Sequence, residues 1–126
     1  MKKINIEGTA KEPTLLFDPE KGLFELSGNS IPEDAKSYYQ PVLDAIRDYI
    51  RSPKSATQVN INLTYFNSAT SKWLVNILRE MKEIVNQGHS IEINWYYHED
   101  DDQIYESGED FRSVLGIPIN LIQLPA

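Results

Sequence analysis

Cysteine is absent from the 126 residues, which excludes disulfides, thiolate metal sites and cysteine nucleophiles. Histidine is nearly absent, with only His89 and His98. None of the six glycines stands in G-x-G-x-x-G or G-x-x-x-x-G-K, so there is no phosphate-cradling loop. Long apolar runs are missing too. No window approaches the roughly 18 apolar residues of a membrane span. The start, MKKINIEGTA, carries two lysines without the apolar stretch of a signal peptide. The default compartment is therefore the cytoplasm. Basic residues are outnumbered, 12 Lys and Arg against 19 Asp and Glu, for a net charge of -7. Phosphate-rich partners attract basic surfaces, so nucleic acid and anionic membrane are disfavoured. A basic protein partner fits better.

What is present suits an ordinary globular chain, 40% hydrophobic and 25% charged. The length suits one domain, residues 1–126, with enough chain to bury a core. No repeat, low-complexity tract or linker divides it. "INIEG" alternates over Ile4 and Ile6 as a short edge strand. "TLLF" (14–17) and "GLFELSG" (22–28) flank the turn formers Asp18, Pro19 and Gly22, which predicts a β-hairpin. Ser30 and Glu33 have capping-box spacing, with Pro32 suited to a first helical turn. Tyr39, Val42, Leu43, Ile46, Tyr49 and Ile50 then recur at helical steps. Pro41 lies inside that pattern and lacks an N–H, so the regular helix is expected to start there after a looser turn.

"QVNINLTY" alternates Val59, Ile61 and Leu63 against Asn60, Asn62 and Thr64, a strand with one buried face. Trp73, Leu74, Ile77, Leu78, Met81, Ile84 and Val85 form a broad apolar helix face, closed by Gly88. "SIEINWYY" alternates again, placing Trp95 and Tyr97 inward and Tyr96 toward solvent or a partner. "EDDDQIYESGEDFRSVL" reads as a helix with an acidic first turn, weakened by Gly108. "INLIQL" is a last strand. The order β-β-β-α-β-α-β-α-β implies an α/β fold. Its expected form is a mixed sheet, antiparallel at the hairpin and parallel beyond it, with helices chiefly on one face.

The sequence offers little catalytic chemistry. His98 and the run Glu99, Asp100, Asp101 and Asp102 offer hard ligands, which keeps a small metal-binding hydrolase as the alternative reading. Consecutive residues on an extended chain point apart, however, and the spaced ligands and turn glycine of a calcium loop are missing. No metal or cofactor is expected. There is no G-x-S-x-G elbow, and the helix carries His89 away from Ser68. Trp95, Tyr96 and Tyr97 resemble a base-stacking platform but lack the basic stripe it needs.

The stretch that stands out is "YFNSATSKW", 65–73, where a strand gives way to a helix through Ser68, Thr70 and Ser71. One reading is structural, with Ser68 or Thr70 as the helix cap. The other is functional. Loops at the carboxyl ends of parallel strands commonly carry function in α/β sheets. A phosphate placed there adds roughly -1.5 to -2 charge at a helix end that favours it. Capping and switching are compatible in one residue.

"VNINLTYFNSATSKW" resembles the phosphorylation region of the SiaC family of bacterial regulatory phosphoproteins. "IEGTAKEP", "LSGNSIPEDA" and "INWYYHEDDDQIYESGEDF" extend the resemblance over nearly the whole chain. It implies a fold like that of STAS-domain anti-sigma-factor antagonists and a non-enzymatic, partner-switching role. A Ser/Thr kinase with a histidine-kinase-like ATPase fold would phosphorylate the turn, and a PP2C-type phosphatase would reverse it. The unphosphorylated form would bind an effector, a diguanylate cyclase in known systems. Asn67 and Ser68 match the family motif. The family carries Thr where this chain has Ser68, so Thr70 and Ser71 stand as alternative acceptors. Partner contact is expected over Tyr65, Asn67, Ser68, Ala69, Thr70 and Lys72.

Overall fold

The computed structural model describes residues 3–125. Its elements alternate as the periodicities predict. Strands β1 (Ile4–Ile6), β2 (Thr14–Asp18) and β3 (Leu23–Ser30) come first. Helix α1 (Ala35–Tyr49), β4 (Ala56–Phe66), α2 (Ser68–Asn86), β5 (Ser90–His98), α3 (Asp102–Leu115) and β6 (Asn120–Leu124) follow. The six strands form one sheet in sequence order. β1–β2 and β2–β3 are antiparallel, and β3–β4, β4–β5 and β5–β6 are parallel. Strands laid down in order, each joined to the next parallel one by a crossover of the same hand, put every helix on the same face. α2 accordingly packs between α1 and α3.

The hairpin turn is held by Asp18, whose Oδ1 accepts from the backbone N–H of Glu20 at 3.2 Å. Gly22 closes it at φ +64, with the Ala56 carbonyl too near to leave room for a Cβ. Leu15, Phe17, Phe24, Leu26, Val59, Ile61, Leu63, Ile93 and Trp95 face the helices, and all are buried. Against them lie Tyr39, Val42 and Ile46 of α1, Leu74, Ile77 and Leu78 of α2, and Ile104, Phe111 and Leu115 of α3.

The start of α1 differs from the sequence reading in two ways. Ser30 is no cap: it is the last residue of β3, paired with Phe66 and fully buried. Asp34 caps α1 instead, accepting from Ser37 N at 3.1 Å and from Ser37 Oγ at 2.6 Å. The helix then runs through Pro41 rather than starting there. An interior proline costs ~3 kcal/mol, but Tyr38, Tyr39, Val42 and Leu43 are buried on either side of it. At roughly 1.5–3 kcal/mol for each large side chain buried, their packing outweighs the proline. α2 ends where Gly88 (φ +87) lets His89 N–H reach Ile84 O and Gly88 N–H reach Val85 O, a Schellman closure. Val85, expected on the buried face, is 46% exposed, because the apolar stripe narrows at the helix end.

Gly108 turns out to serve α3. A Cβ there would lie 2.6 Å from Trp95 Cδ1 and from Leu121 Cδ2. The helix therefore approaches closely enough for Trp95 Nε1 to donate to Ile104 O at 2.8 Å. The opposite face of the sheet carries a polar row that no helix covers. Asn120 Nδ2 donates to Asn94 Oδ1 (3.0 Å), Asn94 Nδ2 to Asn60 Oδ1 (2.9 Å) and Asn60 Nδ2 to Glu25 Oε2 (3.1 Å). These four residues are register partners on β6, β5, β4 and β3.

Candidate functional site

The β4–α2 turn begins with an irregularity. β3 and β4 slip register between Gly28 and Asn29, so Leu63 faces Gly28 while Tyr65 faces Asn29. The extra residue, Thr64, breaks the alternation of β4. Leu63 stays in the core, Tyr65 is 54% exposed, and Phe66 turns back to pack edge-on against Trp95, centroids 5.9 Å apart.

Asn67 follows in an extended conformation, φ -94 and ψ 177. Its Oδ1 accepts from Thr70 N at 3.0 Å, and its carbonyl accepts from Ser71 N at 3.1 Å. The cap of α2 is therefore Asn67, not Ser68 or Thr70. Asn is among the strongest capping residues, and its extended backbone leaves the side chain free to bend over the first turn. Its own N–H donates to Ser30 O at 3.2 Å, tying the turn to the end of β3.

The three hydroxyls then separate. Ser68 is the first helical residue and is exposed. Thr70, two residues on, is 0% exposed. Thr70 Oγ1 donates to Ser30 O at 2.9 Å and lies 2.7 Å from Ser30 Oγ, which lies 2.6 Å from Tyr39 OH. Burial pushes the Tyr39 phenol up to about 12. Ser71 is half-buried and lines a cleft of about 160 Å³ between α2 and α3, with Phe66, Val75, Ser107, Asp110, Phe111 and Val114.

The electrostatics around Ser68 favour added negative charge. The N–H groups of the first helical turn lack intrahelical partners, and the helix dipole makes that end positive. No acidic residue occupies the first turn of α2. Lys72, four residues on, is exposed on the same helical face.

Of the expected partner-contact residues, Tyr65, Ser68 and Lys72 are exposed, and Asn67 and Ala69 are half-buried. Thr70 is enclosed and cannot touch a partner while the turn holds. Ser30 and Tyr39, which no local pattern linked to the turn, lie directly beneath it. Ser30 read as a capping residue because spacing alone cannot show that it is still paired in a strand.

The metal alternative finds no site. Among the described residues, no three His, Asp or Glu side chains group to hold an ion. Asp101 Oδ1 instead caps α3 by accepting from Ile104 N at 3.0 Å. The aromatic platform also dissolves: Trp95 is buried, and Tyr97 packs edge-on against Tyr105 at 4.9 Å.

A family model described as SiaC family regulatory phosphoprotein matches residues 6–124. An uncharacterized protein of Pseudomonas aeruginosa (strain UCBPP-PA14) is 24% identical over 118 residues, 94% of each chain. The solved structure of SiaC of Pseudomonas aeruginosa superposes with a TM-score of 0.88 at 22% identity, covering 98% of this chain and 100% of that one. The structure of the diguanylate cyclase SiaD in complex with its activator SiaC, also from Pseudomonas aeruginosa, contains a chain that matches with a TM-score of 0.89. That match is 22% identical and covers 96% of this chain and 99% of that one.

Proposed function

The chain belongs to the SiaC family of regulatory phosphoproteins, and from that premise we propose that it is a non-enzymatic switch whose phosphate acceptor is Ser68. The observation that carries the proposal is the division among the turn hydroxyls. Ser68 is exposed at the first position of α2, while Thr70 is fully buried. A kinase reaches Ser68 without disturbing the fold, and reaches Thr70 only by opening it. A Ser/Thr kinase with a histidine-kinase-like ATPase fold adds the phosphate, and a PP2C-type phosphatase removes it.

The effector is a diguanylate cyclase, a choice supported by the complex of SiaD with its activator SiaC. The unphosphorylated form binds it through Tyr65, Asn67, Ser68, Ala69 and Lys72. A phosphate on Ser68 blocks that contact by local charge and hydration, because excluding a charged, hydrated group from an interface costs several kcal/mol without waiting basic groups. Each 1.4 kcal/mol is tenfold in affinity, so about 3 kcal/mol weakens binding more than a hundredfold.

The test is phosphorylation by the cognate kinase with ATP, read by fragment-ion mass spectrometry. One phosphate on Ser68, lost in Ser68→Ala, is the expected result. Phosphate on Ser71 or Thr70 with Ser68 unmodified would overturn the assignment.

A further inference from the structure

The buried hydroxyls under the turn form a chain whose proton positions are fixed by its end. A carbonyl can only accept, so Thr70 Oγ1–H donates to Ser30 O, at 2.9 Å. Ser30 Oγ–H must then donate to Thr70 Oγ1, at 2.7 Å. Tyr39 O–H is left to donate to Ser30 Oγ, at 2.6 Å. Ser30 O accepts a second bond from Asn67 N–H, at 3.2 Å, which uses both of its lone pairs. Ser30, Tyr39 and Thr70 are all 0% exposed, so water cannot replace any link. One residue of β3 thus holds both the cap and the third residue of α2, and α1 holds that residue in turn. The Tyr39 ring also stacks on Trp73 of α2, with centroids 6.4 Å apart.

We propose that Ser30, Tyr39 and Thr70 are positioning residues: a latch that fixes the β4–α2 turn in the conformation in which the kinase and the effector meet Ser68. The inference rests on Ser68 being the acceptor, but its structural half does not. Satisfied buried networks rigidify what they join, and a half-satisfied one costs more than none. Thr70→Val keeps the side-chain volume and leaves Ser30 O and Oγ each a partner short. Thr70→Ser keeps the hydroxyl and gives up only a methyl group.

The experiment measures amide hydrogen exchange by NMR on wild type, Thr70→Val and Thr70→Ser, together with the rate of phosphate uptake at Ser68 from the kinase that modifies the wild type. The reporting amides are Asn67, Thr70 and Ser71, each hydrogen-bonded in the turn. In Thr70→Val they exchange faster by about tenfold or more, the scale of leaving a buried group unpaired, while amides late in α2 keep their rates. Ser68 phosphorylation slows as well. Thr70→Ser stays near wild type in both, even if its melting temperature is the lower of the two variants. Turn exchange unchanged in Thr70→Val overturns the latch. A uniform rise across the domain does so too, since it marks mere packing. Faster turn exchange with an unchanged Ser68 rate overturns the positioning role. If the wild type takes up no phosphate on Ser68, the switch reading fails while the exchange data still decide whether the latch exists.

Discussion

Phosphorylating Ser68 should stabilise the domain, and the size of the effect follows from its place at the start of α2. Ser68 is exposed, so the phosphate keeps its water and incurs no burial penalty. A negative charge at a helix N-terminus gains roughly 0.3–1 kcal/mol. Lys72 four residues on adds about 0.2–0.5 kcal/mol, as opposite charges at that spacing do. No acidic side chain in the first turn opposes it. The sum is about 0.5–1.5 kcal/mol, a melting temperature raised by about 2–6 °C for a domain of this size. The gain belongs mainly to the dianion. The helix end lowers the phosphate's second pKa, which is near 6 in the unfolded chain, so the added stability is present above about pH 6 and fades as pH falls through the folded value. It also fades with salt, because exposed charges are screened. Calorimetry on protein carrying phosphoserine at position 68, at low and high salt, measures all of this. A lower melting temperature on phosphorylation would refute the reasoning, as would an increase that salt leaves untouched.

Other substitutions test the parts that hold the site. Asn67→Ala should cost about 1 kcal/mol through loss of the α2 cap, read by urea denaturation; no loss would mean that Asn67 Oδ1 is not what holds Thr70 N–H. Gly108→Ala sets helix propensity, a gain of about 1 kcal/mol, against a Cβ placed 2.6 Å from Trp95 Cδ1. The clash costs about 1–3 kcal/mol, so the net effect should be a loss of up to about 2 kcal/mol with a shift in tryptophan fluorescence, and a stabilised variant would show that α3 can lift away. Asn94→Leu should cost about 1–3 kcal/mol by leaving Asn60 Oδ1 and Asn120 Nδ2 short of partners. The same change at Asn62, an exposed residue of β4 on the same sheet face, should cost far less.

The fold was legible where burial follows a period. Val59, Ile61 and Leu63 alternate into the core, and Leu74, Ile77, Leu78, Met81 and Ile84 mark one side of α2; all are buried. What stayed hidden depends on contacts between distant residues. Pro41 argued for a late helix start, but the buried Tyr38 and Tyr39 before it override a local preference. Ser68 and Thr70 read as caps of α2, and only the extended backbone of Asn67 shows that the asparagine before them takes that role. The bond between Ser30 and Thr70 spans 40 positions, and no periodicity reports it. The amide row from Asn120 to Glu25 likewise exists only once four strands are in register. Exposure of the turn at Ser68 was readable from its position after a parallel strand. The enclosure of Thr70, two residues away, was not.

In the proposed switch, the charge state of Ser68 decides effector binding while the domain stays as it is. Isothermal titration of the diguanylate cyclase proposed as its effector with unmodified protein, and with protein carrying phosphoserine at position 68, tests this most directly. Binding by the unmodified form, weakened more than about a hundredfold by the phosphate, is the expected result. Equal affinity of the two forms would contradict it.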